Sequence, residues 1–330
     1  MVLLLGFLAL ATGGHGQARG RESARLPFYC PLHVDAKAGV AFVAGRPENL
    51  ETWDLHVWRE GRQPVKIMSA EGLIASLSAS PDGSSVLVCD LTHPAGSGGA
   101  DVGVTWVHLS RAPPATKEFH RELIMCGAAW DPAGARWVAY RQRDGYVIHS
   151  GRGETALVAP QFRSRVRTET YWLPDSSESA YVVKADGTVY RISGKTESLV
   201  TQVRLRDGAR IAARGHSLLV VSDRELMCVD LERGTTTTRP LAGEAKQLRH
   251  LRAAVPLGDE WLGLVAGAGG RSDEAGVFLL RRRDASVEFL AKVAVEPELV
   301  EMAGDEQGLC VAWPDLAKRE TTLRWFDLPK

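Results

Sequence analysis

The stretch Leu77-Ser-Ala-Ser-Pro81-Asp-Gly-Ser-Ser-Val86-Leu-Val-Cys-Asp90 sets out one structural unit: a strand of small residues, a Pro-Asp-Gly turn and a second, apolar strand. Pro and Gly set a tight reversal there, and the Val-Leu-Val run suits a pleated, buried surface. The unit recurs. Similar turns, each leading into an apolar strand, stand at 35–39, 131–134, 174–177, 214–216, 257–260 and 303–306. That makes seven anchors. Separations of roughly 40 to 50 residues match a four-stranded propeller blade. The 3.6-residue apolar rhythm that helical repeats of this period would show is absent.

A β-branched or aromatic run follows each turn: residues 40–43, 86–88, 137–140, 180–183, 218–221, 261–265 and 309–313 read as second strands. Third strands follow at 55–58, 104–109, 146–148, 188–192, 225–229, 277–280 and 322–326. Alternation in several of these suits a strand packed between two neighbours. Two segments show the repeat best. One runs from Val40-Ala-Phe-Val-Ala-Gly-Arg46 to Trp53-Asp-Leu-His-Val-Trp-Arg-Glu-Gly61, the other from Trp130-Asp-Pro-Ala-Gly134 to Gly145-Tyr-Val-Ile-His-Ser-Gly151. They resemble the repeats of TolB-like propellers, relatives of the WD-type propellers. The resemblance spans residues 28–330 and is strongest in the first four units. It implies an all-β chain folded as a single propeller, seven blades of four antiparallel strands, with protein partners in the cell envelope. Propellers host binding, scaffolding and catalysis alike, so the fold by itself names no activity.

The chain has 330 residues, 45% of them hydrophobic and 24% charged, enough for a sizeable core, and one seven-bladed ring uses nearly all of it. Lys+Arg and Asp+Glu number 40 each, so bulk charge favours neither nucleic acid nor an anionic membrane. The apolar run 1–11, followed by small and polar residues, has the order of a secretory leader, although no Lys or Arg precedes it. It is too short to span a bilayer comfortably. With a candidate processing site near Gly16-Gln17-Ala18, the expectation is a leader over 1–18 and export to the periplasm or beyond. An uncleaved N-terminal anchor is the alternative. The five cysteines, Cys30, Cys89, Cys126, Cys228 and Cys310, form no C-x-x-C pair and read as small buried hydrophobes.

Residues 19–27 are polar, and 28–34 read as the innermost strand of the first blade. The sequence ends just after the third strand of the seventh blade. The segment 23–27 is therefore expected to add an outer strand there and close the ring; a three-stranded last blade is the alternative. Connections from second to third strands, and links from blade to blade, emerge on one common face. The former are short in blades three to five and long in blades one (45–53), two (91–103), six (266–276) and seven (314–321), which adjoin in a closed ring. They form a wall over one side of that face, where loops on a rigid scaffold carry function. The links on the other side are basic. Arg163, Arg165 and Arg167 precede blade four, and Arg204, Arg206 and Arg210 precede blade five. Lys246, Arg249, His250 and Arg252 precede blade six. Converging guanidinium forks favour carboxylate or phosphate groups; acidic neighbours such as Glu169 and Asp207 would instead make this an ordinary solvated surface. Trp53, inside the first long connection, is a candidate contact anchor for a partner or a staple to the body.

Catalytic signatures are missing. The segment Gly215-His-Ser-Leu-Leu219 lacks the closing glycine of a nucleophile elbow, and Ser217 reads as the start of a strand. The run Gly267-Ala-Gly-Gly270 has no βαβ setting and reads as a flexible turn. Nine histidines stand apart, and a single asparagine, Asn49, excludes an Asx-rich calcium loop; no cofactor or metal is expected. The innermost strands offer His33, Asp35, Glu169 and Glu301 as scattered candidates. The expectation is a noncatalytic exported propeller that binds a protein partner or anionic ligand through its loop face. The alternative is a propeller enzyme of the lyase, lactonase or cyclotransferase type with its site at the channel mouth.

Overall fold

A computed structural model describes residues 20–37, 39–46, 52–92, 101–109, 115–122, 125–131, 134–141, 145–150, 153–157, 171–174, 179–184, 186–194, 196–206, 208–268 and 274–329. They build seven antiparallel sheets, the blades of one ring: a seven-bladed β-propeller. Every second and third strand expected from the sequence is present at its expected place. The innermost strands are Tyr29–Lys37, Leu73–Ala79, Met125–Trp130, Tyr171–Pro174, Arg210–Arg214, Leu248–Leu257 and Glu301–Gly304, in blade order.

The turn that anchors the repeat is held by its own side chains. In blade two the Gly83 amide donates to the Ser80 carbonyl at 2.8 Å, and the Ser84 amide donates to Asp82 Oδ1 at 3.0 Å. Gly83 sits at φ 66 and its counterpart Gly134 at φ 69, in the left-handed region that a side chain resists. Blade three repeats the device with a different acid, the Ala135 amide donating to Asp131 Oδ1 at 2.9 Å. An Asp or Ser side chain that satisfies turn amides costs nothing in strand pairing, which explains why the motif tolerates variation.

Packing follows from the second strands, which are apolar on both faces because each blade lies between two others. Trp58 of blade one meets Trp325 of blade seven with ring centroids 6.4 Å apart, inside a cluster that also holds Phe28, Val43 and Leu323. Trp130 packs with Trp137 against blade two, and its indole N–H donates to the Ser78 carbonyl at 2.8 Å. Cys89 and Cys310 are buried among these apolar residues, as small hydrophobes are.

The ring closes as the sequence implies. Strand Gly20–Leu26 pairs antiparallel with Glu320–Asp327 and supplies the outer strand of blade seven. Thr321, fully buried, donates its hydroxyl to the Phe28 carbonyl at 2.6 Å and ties the joint to the next blade. Blade six gains a short fifth strand, Ala242–Gly243, parallel to Ser286–Val293.

One expected long loop is not a loop. In blade seven, strands Gly308–Asp315 and Glu320–Asp327 stay paired out to Asp315↔Glu320, leaving a turn of residues 316–319. Pro314 and the charged residues after it suggested a break, but ladder pairing continues through them. The Lys318 ammonium contacts the Asp315 carboxylate at 2.6 Å and stabilises that turn. The centres of the other long connections, 47–51, 93–100 and 269–273, lie outside the described residues.

Candidate functional site

Strand alternation gives the propeller two chemically different faces. Each innermost strand starts at the face carrying the blade links and second-to-third connections, the loop face. It ends at the face carrying the first-to-second turns, the turn face.

On the loop face, Arg204, Arg206, His250 and Arg252 are exposed and Arg210 is half-buried. Arg206 Nε lies 3.0 Å from Glu225 Oε1. Arg210 turns its guanidinium to backbone, Nε donating to the Arg252 carbonyl at 2.6 Å and Nη1 to the Ala209 carbonyl at 3.0 Å. Arg210 thus ties the innermost strands of blades five and six together at the loop face. Arg249 lies on the same strand, on the ladder partner of Gly267. Arg163, Arg165, Arg167 and Glu169 lie outside the described residues. Glu301 opens the innermost strand of blade seven and is half-buried; burial pushes its carboxyl up to about 7, while the Arg252 charge pulls it down.

Trp53 does not belong to this surface. It lies in strand Thr52–Arg59, opposite Ala70, with 0% of its surface exposed. Phe42, Leu55 and Ile74 pack with it between blades one and two, and His33 stacks on its ring at 6.0 Å. The strand begins earlier than the loop expected around it, so its indole fills the interblade space as the other tryptophans do.

The turn face holds a feature that the sequence reading passed over. A cavity of about 710 Å³ occupies this end of the channel, lined by the turns of blades one, two, three, five, six and seven. Asp35, Lys37, Arg214, His216, Asp305 and Glu306 are among its lining residues. Arg214 clamps two blades, with Nε 3.0 Å from Asp259 and Nη2 3.5 Å from Glu306. Asp35 accepts a hydrogen bond from the Ala79 amide at 2.8 Å. Burial raises its carboxyl above the usual range, with the Asp305 charge adding to the rise; Lys37 and the Ala79 and Ala36 amides oppose it. Asp131 is consumed by structure, accepting from the Ala135 and Arg136 amides and pairing with Arg136 at 3.1 Å. Six separate turns bring these groups together, and no linear motif marks them. Asp35 alone was legible, as a carboxylate on an innermost strand.

His33 and His56 have their proton affinity lowered by burial, the environment of core histidines. Among the described residues, no group of three or more His, Cys, Asp or Glu side chains could hold a metal ion. No helix among them is long and apolar enough to cross a membrane.

No protein-family model and no curated protein matches the chain. Solved structures match it over almost its whole length. The WD40 β-propeller domain of Doa1 aligns with a TM-score of 0.60 at 12% identity, over 92% of this chain and 96% of that one. The β-propeller domain of the trilobed protease from Pyrococcus furiosus, whose ring has an open velcro topology, gives 0.61 at 10% identity, over 90% and 95%. An acylaminoacyl peptidase of Pyrococcus horikoshii gives 0.54 at 10% identity, over 95% of this chain and 52% of that one. At such identities the likeness is one of fold, shared by a WD40 domain and by the propellers of peptidases.

Proposed function

We propose that this chain is a noncatalytic binding scaffold, an exported propeller of TolB-like character that docks a partner protein through its loop face. The observation that carries the reading is the exposure of Arg204 and Arg206 on the link into blade five and of His250 and Arg252 near the start of the innermost strand of blade six, all on the loop face. Arg210 donates to backbone carbonyls, and so braces the Arg252 backbone rather than serving as a contact. Charge on a rigid rim steers an oppositely charged partner and fixes its register. The Doa1 and peptidase likenesses fit a module that presents a surface, since such domains are propellers too.

The test is capture of partners from the native source by the immobilised chain, compared with an Arg204→Glu, Arg206→Glu, Arg252→Glu variant of unchanged urea midpoint. Loss of the captured band supports the reading; equal capture removes the loop face from it. Export is tested separately, by sequencing the amino terminus of the protein from the culture or periplasm. A start near Ala18 supports it, and an intact Met1 in the cytosol refutes it.

One observation favours a second reading. The Asp35 carboxyl, held neutral more readily by burial and set under the field of Asp305 in an open cavity, is the kind of group that serves as a general acid. An enzyme of the lyase, lactonase or cyclotransferase type would use it, and turnover of a lactone panel abolished by Asp35→Asn would establish that activity.

A further inference from the structure

The inner strand of blade six is not regular. Its pairing with the second strand slips between Arg249 and Ala253, and within that bulge His250 takes φ 49, a conformation that non-glycine residues rarely adopt. Bulges re-aim side chains, and this one turns His250 and Arg252 outward at the loop-face mouth. Blade five holds it in place, through the 2.6 Å hydrogen bond from Arg210 to the Arg252 carbonyl. A strained, externally braced segment at a channel mouth is where fold stability has been exchanged for presentation.

Glu301, half-buried, heads the innermost strand of blade seven, which packs against the strand that carries Arg252, and the Arg252 charge favours its ionisation. Arg206, in the next link, is already paired with the carboxylate of Glu225. Both exposed guanidinium groups therefore have a resident carboxyl as neighbour. We propose that the loop-face mouth binds an acidic peptide segment of the partner on Arg252, Arg204 and Arg206, and that Glu301 is the resident carboxyl whose influence on Arg252 this segment supplants. The proposal rests on loop-face docking and names its ligand. A peptide suits the site because its exposed guanidinium groups belong to two blades, Arg204 and Arg206 on the link into blade five and Arg252 on the innermost strand of blade six, and a run of carboxylates offers a partner to each.

Proton coupling follows. When a ligand carboxylate compensates Arg252, Glu301 loses the charge that favoured its ionisation and takes up a proton. Binding therefore weakens as pH rises through about 7, where the Glu301 carboxyl ionises. The elements packed against its strand carry other charges. The inner strand of blade six bears Arg249, His250 and Arg252, and that of blade one bears His33, Asp35 and Lys37. The second strand of blade seven ends at Asp315, and that of blade six, Trp261–Ala268, carries none. Arg252 is the one of these that acts on Glu301. His250 shares the bulge with Arg252, so it is removed first, as His250→Asn, a residue that tolerates positive φ.

The experiment measures anisotropy of a fluorescein-labelled hexaglutamate peptide with the full chain in the His250→Asn background. The expected result is binding at pH 6 that weakens by roughly fivefold at pH 8.5. Adding Glu301→Gln should give the pH 6 affinity at both values, and adding Arg252→Gln should weaken binding by about tenfold at pH 6. No binding at pH 6, or pH dependence that survives Glu301→Gln, overturns the proposal. If Arg204→Glu and Arg206→Glu abolish binding while Glu301→Gln changes nothing, loop-face docking stands and the Glu301 coupling falls. If no arginine change matters, both fall.

Discussion

Glu301→Gln should make the protein more stable at alkaline pH and leave it nearly unchanged in acid. The carboxyl sits at the head of an innermost strand, where burial lifts it from the ordinary 4.5 to about 7 and Arg252 only partly restores it. The folded chain thus holds a proton that the unfolded chain gives up near 4.5. A raised value of this kind contributes stability that is complete below 4.5, declines as pH rises and is gone above about 7. Each tenfold change in proton affinity corresponds to ~1.4 kcal/mol, so the ionised Glu301 costs the wild-type fold roughly 3 kcal/mol, an upper bound for a group that water partly reaches. Glutamine has the same shape and no charge to desolvate. Urea titrations of both proteins at pH 5 and pH 8.5 should therefore show a stability difference that widens by ~3 kcal/mol, about 1 M in midpoint for an m-value near 3 kcal/mol/M. A difference of the same size at both pH values would refute the assignment of Glu301 as a buried, proton-holding carboxyl.

Three further outcomes follow from the packing. Thr321→Val removes the buried hydroxyl that satisfies the Phe28 carbonyl at the ring joint, and should cost ~1–3 kcal/mol in urea titration; no loss would mean the joint does not depend on it. Trp53→Ala empties a fully buried interblade site and should cost ~3–5 kcal/mol, while a stability change under 1 kcal/mol would return this indole to the surface. Cys310, whose thiol burial pushes up to about 12, should resist a thiol reagent at pH 8 until urea unfolds the ring; rapid labelling of the native protein would contradict its burial.

The fold was legible because its signal is local and repeated: the turn after Ser80 reappears in each blade with enough Gly, Pro and Asp to be found. Closure was legible by counting, since blade seven lacked an outer strand until the segment ending at Leu26 supplied it. Trp53 misled because strand ends are the least certain part of any pattern, and a few residues decide whether an indole is at a tip or in the core. The hairpin around 316–319 misled for the same reason. The site was less readable than the fold. Arg204, Arg206 and Arg252 stood out as charges, but that Arg210 braces a bulge depends on a contact between blades. Asp35 and Asp305 are 270 positions apart in number, and only the ring brings their fields together.

Which face meets the partner is the claim on which the rest depends, and site-specific photocrosslinking reads it directly. A photoreactive residue would be placed at Arg204 or His250 on the loop face, and at Asp259 or Glu306 on the turn face, all exposed positions. The account predicts crosslinks to the captured partner from the first pair and none from the second. Crosslinks from Asp259 or Glu306 alone would move binding to the cavity side and contradict it.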